Sequence, residues 1–278
     1  MTKSNPGHFF EDFYVGMELR HATPLTVSEG DQSLYRALTG SRHALFSAKT
    51  FAIANGYDAL AIDPLLAFHV VFGKTVPDIS LNAVANLGYA DGRFPVPVYP
   101  GDTLTAVSDV IGVKENSNGK TGVVYVRTRG YNQRGEEVMS YVRWVMVNKK
   151  DPGTPAPDPV IPDLPKIVDP ASLAFDRAYN AWDNTLAGSE HRYDDYAIGE
   201  QINHVDGMTV EDAEHQIATR LYQNTAKVHF DAHAQKDSRF GKRLIYGGVV
   251  ISIARALSFN GLATAAELIA NNGGTHAG

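Results

Sequence analysis

The chain has 278 residues, 44% of them hydrophobic and 20% charged, with a formal net charge of −6 at pH 7. It contains no cysteine, which excludes disulfides, thiolate nucleophiles and cysteine-based zinc sites, and its acidic balance argues against a nucleic-acid partner. No stretch approaches the ~18 uninterrupted apolar residues of a membrane span, and the N-terminus MTKSNPGHFFEDFY lacks the apolar core of a secretory signal, so a cytoplasmic protein without a membrane partner is expected.

In chain order, MELRHATPLTV from Met17 reads as a short strand, and Thr-Val-Ser-Glu-Gly-Asp then opens a helix at Ser28 with acids in its first turn. PLLAFHVVFGKTV from Pro64 is apolar on every side and reads as a buried helix. VYPGDTLTAVSDVIGVKEN, TGVVYVRTRGYNQ and EEVMSYVRWVMVNKK alternate apolar and polar residues and predict three long strands. The turns between them fall at Asn116–Gly119 and Asn132–Gly135. Residues 151–170 hold seven of the fourteen prolines and predict an extended connector. SLAFDRAYNAWDNTL, from Ser172, spaces Leu173, Tyr179, Trp182 and Leu186 as a short packing helix would. A further helix is expected from Glu211, and GGVVISIARALSF from Gly247 is a second apolar helix.

The chain repeats itself. HFFEDFYVGMELRHATPLTVSEGDQSLYRAL from His8 overlays HRYDDYAIGEQINHVDGMTVEDAEHQIATRL from His191 without gaps, at a constant offset of 183. Asp12 meets Asp195, Gly16 meets Gly199, His21 meets His204 and Leu38 meets Leu221. Each copy predicts one helix wrapped by an antiparallel sheet, an α+β arrangement. The expected organisation is an N-terminal unit at 1–150, a proline-rich connector and short helix at 151–190, and a second unit at 191–278. That second unit has no counterpart to the three long strands of the first, which predicts either a shortened form or completion by another chain.

A duplicated helix-in-sheet unit with PVYPGDTL leading into its strands resembles the MaoC-like branch of the hot-dog fold. The order His229, Phe240-Gly241, Ile245 and a helix-opening Gly247 is similar to the motif of R-specific enoyl-CoA hydratases, Gly-Asp-x-Asn-Pro-x-His followed by His-Gly. Gln223, Asn224, Ala226 and Lys227 stand where that motif has Gly, Asp, Asn and Pro, and Tyr246 replaces its second histidine. LYQNTAKVHFDAHAQKDSRFGKRLIYGG and ARALSFNGL resemble the mesaconyl-CoA (2-methylfumaryl-CoA) hydratases, also called β-methylmalyl-CoA dehydratases, over essentially the whole chain.

The resemblance implies a tandem hot-dog hydro-lyase acting on an acyl-CoA, with coenzyme A as part of the substrate and no separate cofactor. Hot-dog units commonly associate, so a homodimer is expected. Hydration of a conjugated thioester needs a proton handler, and His229 fills that place. Asn224 cannot act as a base, but its amide can orient the water or simply cap a turn. The amides of Gly247 and Gly248 at a helix start can receive the thioester oxyanion. Arg239, Lys242 and Arg243 can meet CoA phosphates or a free acyl carboxylate. In the first copy Phe46 replaces the histidine and Asp63-Pro64 replaces Tyr246-Gly247, so that copy is expected to be degenerate. His21 and His204 read as structural. His43, His215 and His233 lack trustworthy metal-ligand spacing, and no metal is expected. An acyl-CoA thioesterase and a non-catalytic acyl-CoA-binding protein are the alternatives.

Overall fold

The computed structural model describes residues 3–173, 177–238, 240–265 and 267–275. Six strands form one antiparallel sheet: β1 (Glu18–Thr26), β2 (Ala83–Arg93), β3 (Thr103–Glu115), β4 (Thr121–Tyr131), β5 (Glu137–Asn148) and β6 (Ala270–Thr275), in the order β1-β3-β4-β5-β2-β6. The alternation read from the sequence sets which face is buried, for β4 runs buried-then-half-buried along nearly its whole length. Three short helices lie between β1 and the first central helix: α1 (Glu29–Thr39), α2 (Ala44–Ser47) and α3 (Lys49–Ala54). Ser28 and Asp31 cap α1 reciprocally.

The central helix α4 (Pro64–Thr75) is buried from Leu65 to its end, as a helix apolar on all sides must be. Asp63 starts it by accepting the Leu65 N–H at 2.9 Å, and Pro64 occupies its first position, where no amide proton is needed. After α5 (Asn184–Ala187), the second unit supplies α6 (Asp212–Leu221), α7 (Lys227–Phe230), α8 (Ala232–Gln235), α9 (Gly247–Leu257) and α10 (Phe259–Leu262).

The duplication is visible element by element. α1 and α6, α2 and α7, α3 and α8, and α4 and α9 each begin 183 positions apart. Positions 183 apart also touch one another. Ala90 of β2 pairs with Gly273 of β6, and His69 Nε2 of α4 lies 2.7 Å from Ser252 Oγ of α9. Such self-matching contacts mark a local two-fold axis between the units. The two central helices therefore run antiparallel. Phe72, near the end of α4, meets Tyr246, just before α9, at a ring separation of 5.3 Å. One apolar core spans both units, from Val27 and Leu66 to Tyr222, Val249 and Ile253.

At three places the structure departs from what the local sequence suggests. β2 was not legible, because AVANLGYADGR carries glycines and little alternation. It is fixed instead by neighbours on both sides, and Gly88 is needed where a Cβ would lie 2.3 Å from the Trp144 ring. Residues 201–209, the counterpart of β1, form no strand, and His204 therefore sits outside one. No strand among the described residues pairs with that segment, and strand geometry without a ladder is not held. The connector helix shrinks to the four residues of α5, bracketed by Asp183 and a left-handed Gly188, while 174–176 lie outside the described residues. The proline-rich connector is extended, with Val160 bridging Val113.

Candidate active site

α7 carries His229, and the segment before α9 folds back over it. Leu244 N–H donates to the Val228 carbonyl and His229 Nδ1 lies 2.9 Å from the Leu244 carbonyl. A carbonyl only accepts, so Nδ1 carries the proton and Nε2 keeps its lone pair. Burial lowers the His229 pKa and the Leu244 hydrogen bond opposes that shift, leaving the ring neutral at pH 7. The imidazole packs 5.5 Å from the Tyr246 ring.

Tyr246 in turn is fixed at three points. Its N–H donates to His215 Nε2 at 2.9 Å, its hydroxyl lies 3.4 Å from His69 Nδ1, and its ring packs on Phe72. Accepting that N–H puts the proton of His215 on Nδ1. Burial, with His229 and Arg243 nearby, lowers the His215 pKa to about 4. The His215 and His229 rings stand perpendicular, 6.2 Å apart.

Asn224 is 1% exposed. Its Oδ1 accepts the Ala226 N–H at 3.1 Å and its own N–H reaches the Thr219 carbonyl, so it shapes the turn into α7. Its Nδ2, also buried, has no hydrogen-bond partner among the described residues. An uncompensated buried donor is costly and is available to a ligand.

The start of α9 differs from that of α4 in one chemical respect. In the first unit the Asp63 carboxylate occupies the Leu65 amide. The equivalent of Leu65 is Gly248, and no side chain caps α9, because Tyr246 stands where Asp63 does. The first-turn amides of Gly247 and Gly248 thus lack the carboxylate that fills the degenerate site. Gly248 is also required sterically, since a Cβ there would lie 2.5 Å from the Tyr246 ring and 2.6 Å from His69 Cε1.

Of the three basic residues, Lys242 is exposed, and Arg243 is held by Gln216 and lies 3.9 Å from Asp212 on α6. Arg239 lies outside the described residues. His21 is held between Asp78 and Ser108, as a structural histidine. Among the described residues no cluster of three His, Asp or Glu can hold a metal. Reasoning from sequence missed His215, Tyr246 and His69 as parts of the site. Tyr246 was marked as the replacement of the motif's second histidine, whereas His215 and His69 lie on helices where periodicity does not distinguish a site residue from core.

A cavity of about 490 Å³ lies against the segment that carries Asn224 and His229. It is lined by Gln223, Thr225 and Phe230, the neighbours of Asn224 and His229, and by Lys74 from the end of α4.

A family model for Mesaconyl-CoA hydratase matches residues 1–277. A Mesaconyl-CoA hydratase from Cereibacter sphaeroides is 60% identical over 277 residues, 99% of this chain and 80% of that protein. A Beta-methylmalyl-CoA dehydratase from Chloroflexus aurantiacus is 57% identical over 99% of this chain and 79% of its own. A solved MaoC-domain dehydratase structure from Chloroflexus aurantiacus superposes with a TM-score of 0.97 at 56% identity, covering 99% of this chain and 79% of that one. A Mycobacterium tuberculosis protein with a double hot-dog fold shares the architecture at a TM-score of 0.73 and 23% identity, over 95% of this chain and 79% of its own. With the fold, the doubled helix-in-sheet unit and a match along nearly every residue in agreement, the chain belongs to the mesaconyl-CoA hydratase family.

Proposed function

We propose that this chain catalyses the reversible hydration of mesaconyl-CoA to β-methylmalyl-CoA. The names of the two curated relatives cited above describe the two directions of that reaction. The observation that carries the reading is the pairing of a neutral His229, Nε2 bare, with an α9 start that no side chain caps.

The chemistry follows from those groups. His229 Nε2 takes a proton from water as the oxygen bonds to Cβ, and the C=C electron pair moves to the thioester as an enolate. The Gly247 and Gly248 amides donate to the enolate oxygen, where charge grows in the transition state. Cα then takes a proton and the thioester carbonyl is restored. Water lost one proton and Cα gained one, so a single imidazole serves both atoms when they share a face. Asn224 Nδ2 offers a hydrogen bond to the water or the acyl group. The balance is alkene plus water, and it calls for no resident cofactor. The exposed Lys242 is suited to CoA phosphates, whereas Arg243 positions the loop through α6. A cytoplasmic homodimer completes the proposal. No helix among the described residues is long and apolar enough to cross a membrane.

Incubating the protein with mesaconyl-CoA and following the conjugated-thioester absorbance tests the reading. Loss of absorbance without free thiol is the expected result. Release of free coenzyme A would replace the proposal with thioester hydrolysis, and tight binding without turnover would leave only a binding role.

A further inference from the structure

Lys74 is 2% exposed, yet no carboxylate among the described residues lies within ion-pair distance of it. Its Nζ donates to the Thr23 carbonyl at 2.5 Å and to Gln223 Oε1 at 3.4 Å. An ammonium has three donors, so one remains for the cavity of about 490 Å³ that Lys74 lines. Burying a cation beside neutral oxygens alone is costly, and burial lowers its pKa to about 8. Arg220 also lines this cavity. Asp78, four residues beyond Lys74, is the acid in the lining, and it is already held by His21 and Asn5, which keep its carboxyl below the usual range. The cavity therefore keeps a surplus of positive charge.

Symmetry sharpens the point. The position equivalent to Lys74 in the second unit is Leu257. The end of α4 faces the intact site at α9, while the end of α9 faces the degenerate site, so the cation is present only on the side where the chemistry is proposed. Arg143 is also buried without an acid, but it is sealed at 0% exposure with its guanidinium over the Phe72 ring.

We propose that Lys74, assisted by Arg220, forms a carboxylate subsite that holds the free carboxylate of a dicarboxylic acyl-CoA and selects it over monocarboxylic acyl-CoAs. This rests on the hydratase reading above. In mesaconyl-CoA the carboxylate is attached to the carbon that receives water, so its anchor must lie beside the water-activating group. Gln223, Thr225 and Phe230, which line the cavity, flank Asn224 and His229 in the chain.

The test compares mesaconyl-CoA with crotonyl-CoA on the full chain, for wild type, Lys74→Met and Arg220→Met. The ratio of their kcat/KM values should fall about 10- to 100-fold in Lys74→Met, the worth of one charge-assisted hydrogen bond, and less in Arg220→Met. Equal losses on both substrates would overturn the subsite and assign the cation to CoA phosphates, which both substrates carry. Unchanged kcat/KM on both substrates would overturn it outright. Should Lys74→Met fail to fold, wild type alone is decisive. Its kcat/KM for mesaconyl-CoA should fall as pH rises through about 8, where the lysine loses its proton, while that for crotonyl-CoA should not. Parallel profiles would overturn the proposal. Wild type inactive on both substrates refutes the hydratase reading instead. The subsite then stands or falls on mesaconyl-CoA binding by calorimetry, which Lys74→Met should weaken more than crotonyl-CoA binding.

Discussion

Gly248→Ala separates packing from propensity at the start of α9. The added methyl would lie 2.5 Å from the Tyr246 ring and 2.6 Å from His69 Cε1. Carbon atoms pack best at ~3.5–4.0 Å, so both rings must retreat by about 1 Å. Neither is free to do so. His69 is held by Ser252 at 2.7 Å and lies 4.4 Å from the Tyr222 ring, and Tyr246 is fixed through His215. Overpacking of this kind costs about 1–3 kcal/mol, and two immobilised rings place the change in the upper half of that range. For a chain of this size each kcal/mol lowers Tm by roughly 2–4 °C, which gives an expected drop of roughly 5–10 °C. The neighbouring Gly247→Ala is the control. Its counterpart in the first unit, Pro64, carries a side chain in the same first-turn position, and Tm should move by no more than about 2 °C. Circular dichroism melts of both variants check this. Gly248→Ala melting with wild type, or both variants falling equally, would refute the close packing of α9 on His69 and Tyr246.

His229→Ala is expected to lower kcat for mesaconyl-CoA hydration by about 10²- to 10⁴-fold with little change in Tm, since among the described residues the ring's hydrogen bond is to the backbone carbonyl of Leu244. Asn224→Ala leaves the Ala226 N–H without its buried acceptor and should cost about 1–3 kcal/mol in denaturant titration, a loss that Asn224→Asp partly restores. Acid should destabilise the fold through His69 and His215, whose burial lowers their pKa values to about 3 and about 4. Both stay neutral in the folded chain while the unfolded chain takes up protons below about 6.5. Their contribution is whole above that pH and is lost as pH falls toward the folded values. Tm measured between pH 7 and 4.5 should fall steadily, and less so in His69→Gln.

The elements legible in the sequence are those whose pattern is local. The alternation of β3 to β5, the all-apolar α4 and α9, the capped start of α1 and the offset between copies each need only a short window of residues. β2 was hidden because its place is set by β5 and β6, strands far away in the chain. At the site, His229 and the glycines were marked by spacing. His215, His69 and Lys74 were not, because what singles them out is the company they keep after folding. His215 is an ordinary buried residue of α6 until its Nε2 is found on the Tyr246 amide. Lys74 reads as a helix-ending cation, and only the structure shows that it is buried without an acid.

The hydrogen bond between His69 and Ser252 joins corresponding positions of the two copies. A pair of identical subunits would bring histidine to histidine or serine to serine at that place, because symmetry dictates the same letter on both sides of the axis. Linking the copies in one polypeptide removes that compulsion, and each flank of the seam can then be written separately. The imidazole–hydroxyl bond at the centre of the molecule is a junction open only to a protein whose halves are free to become unlike.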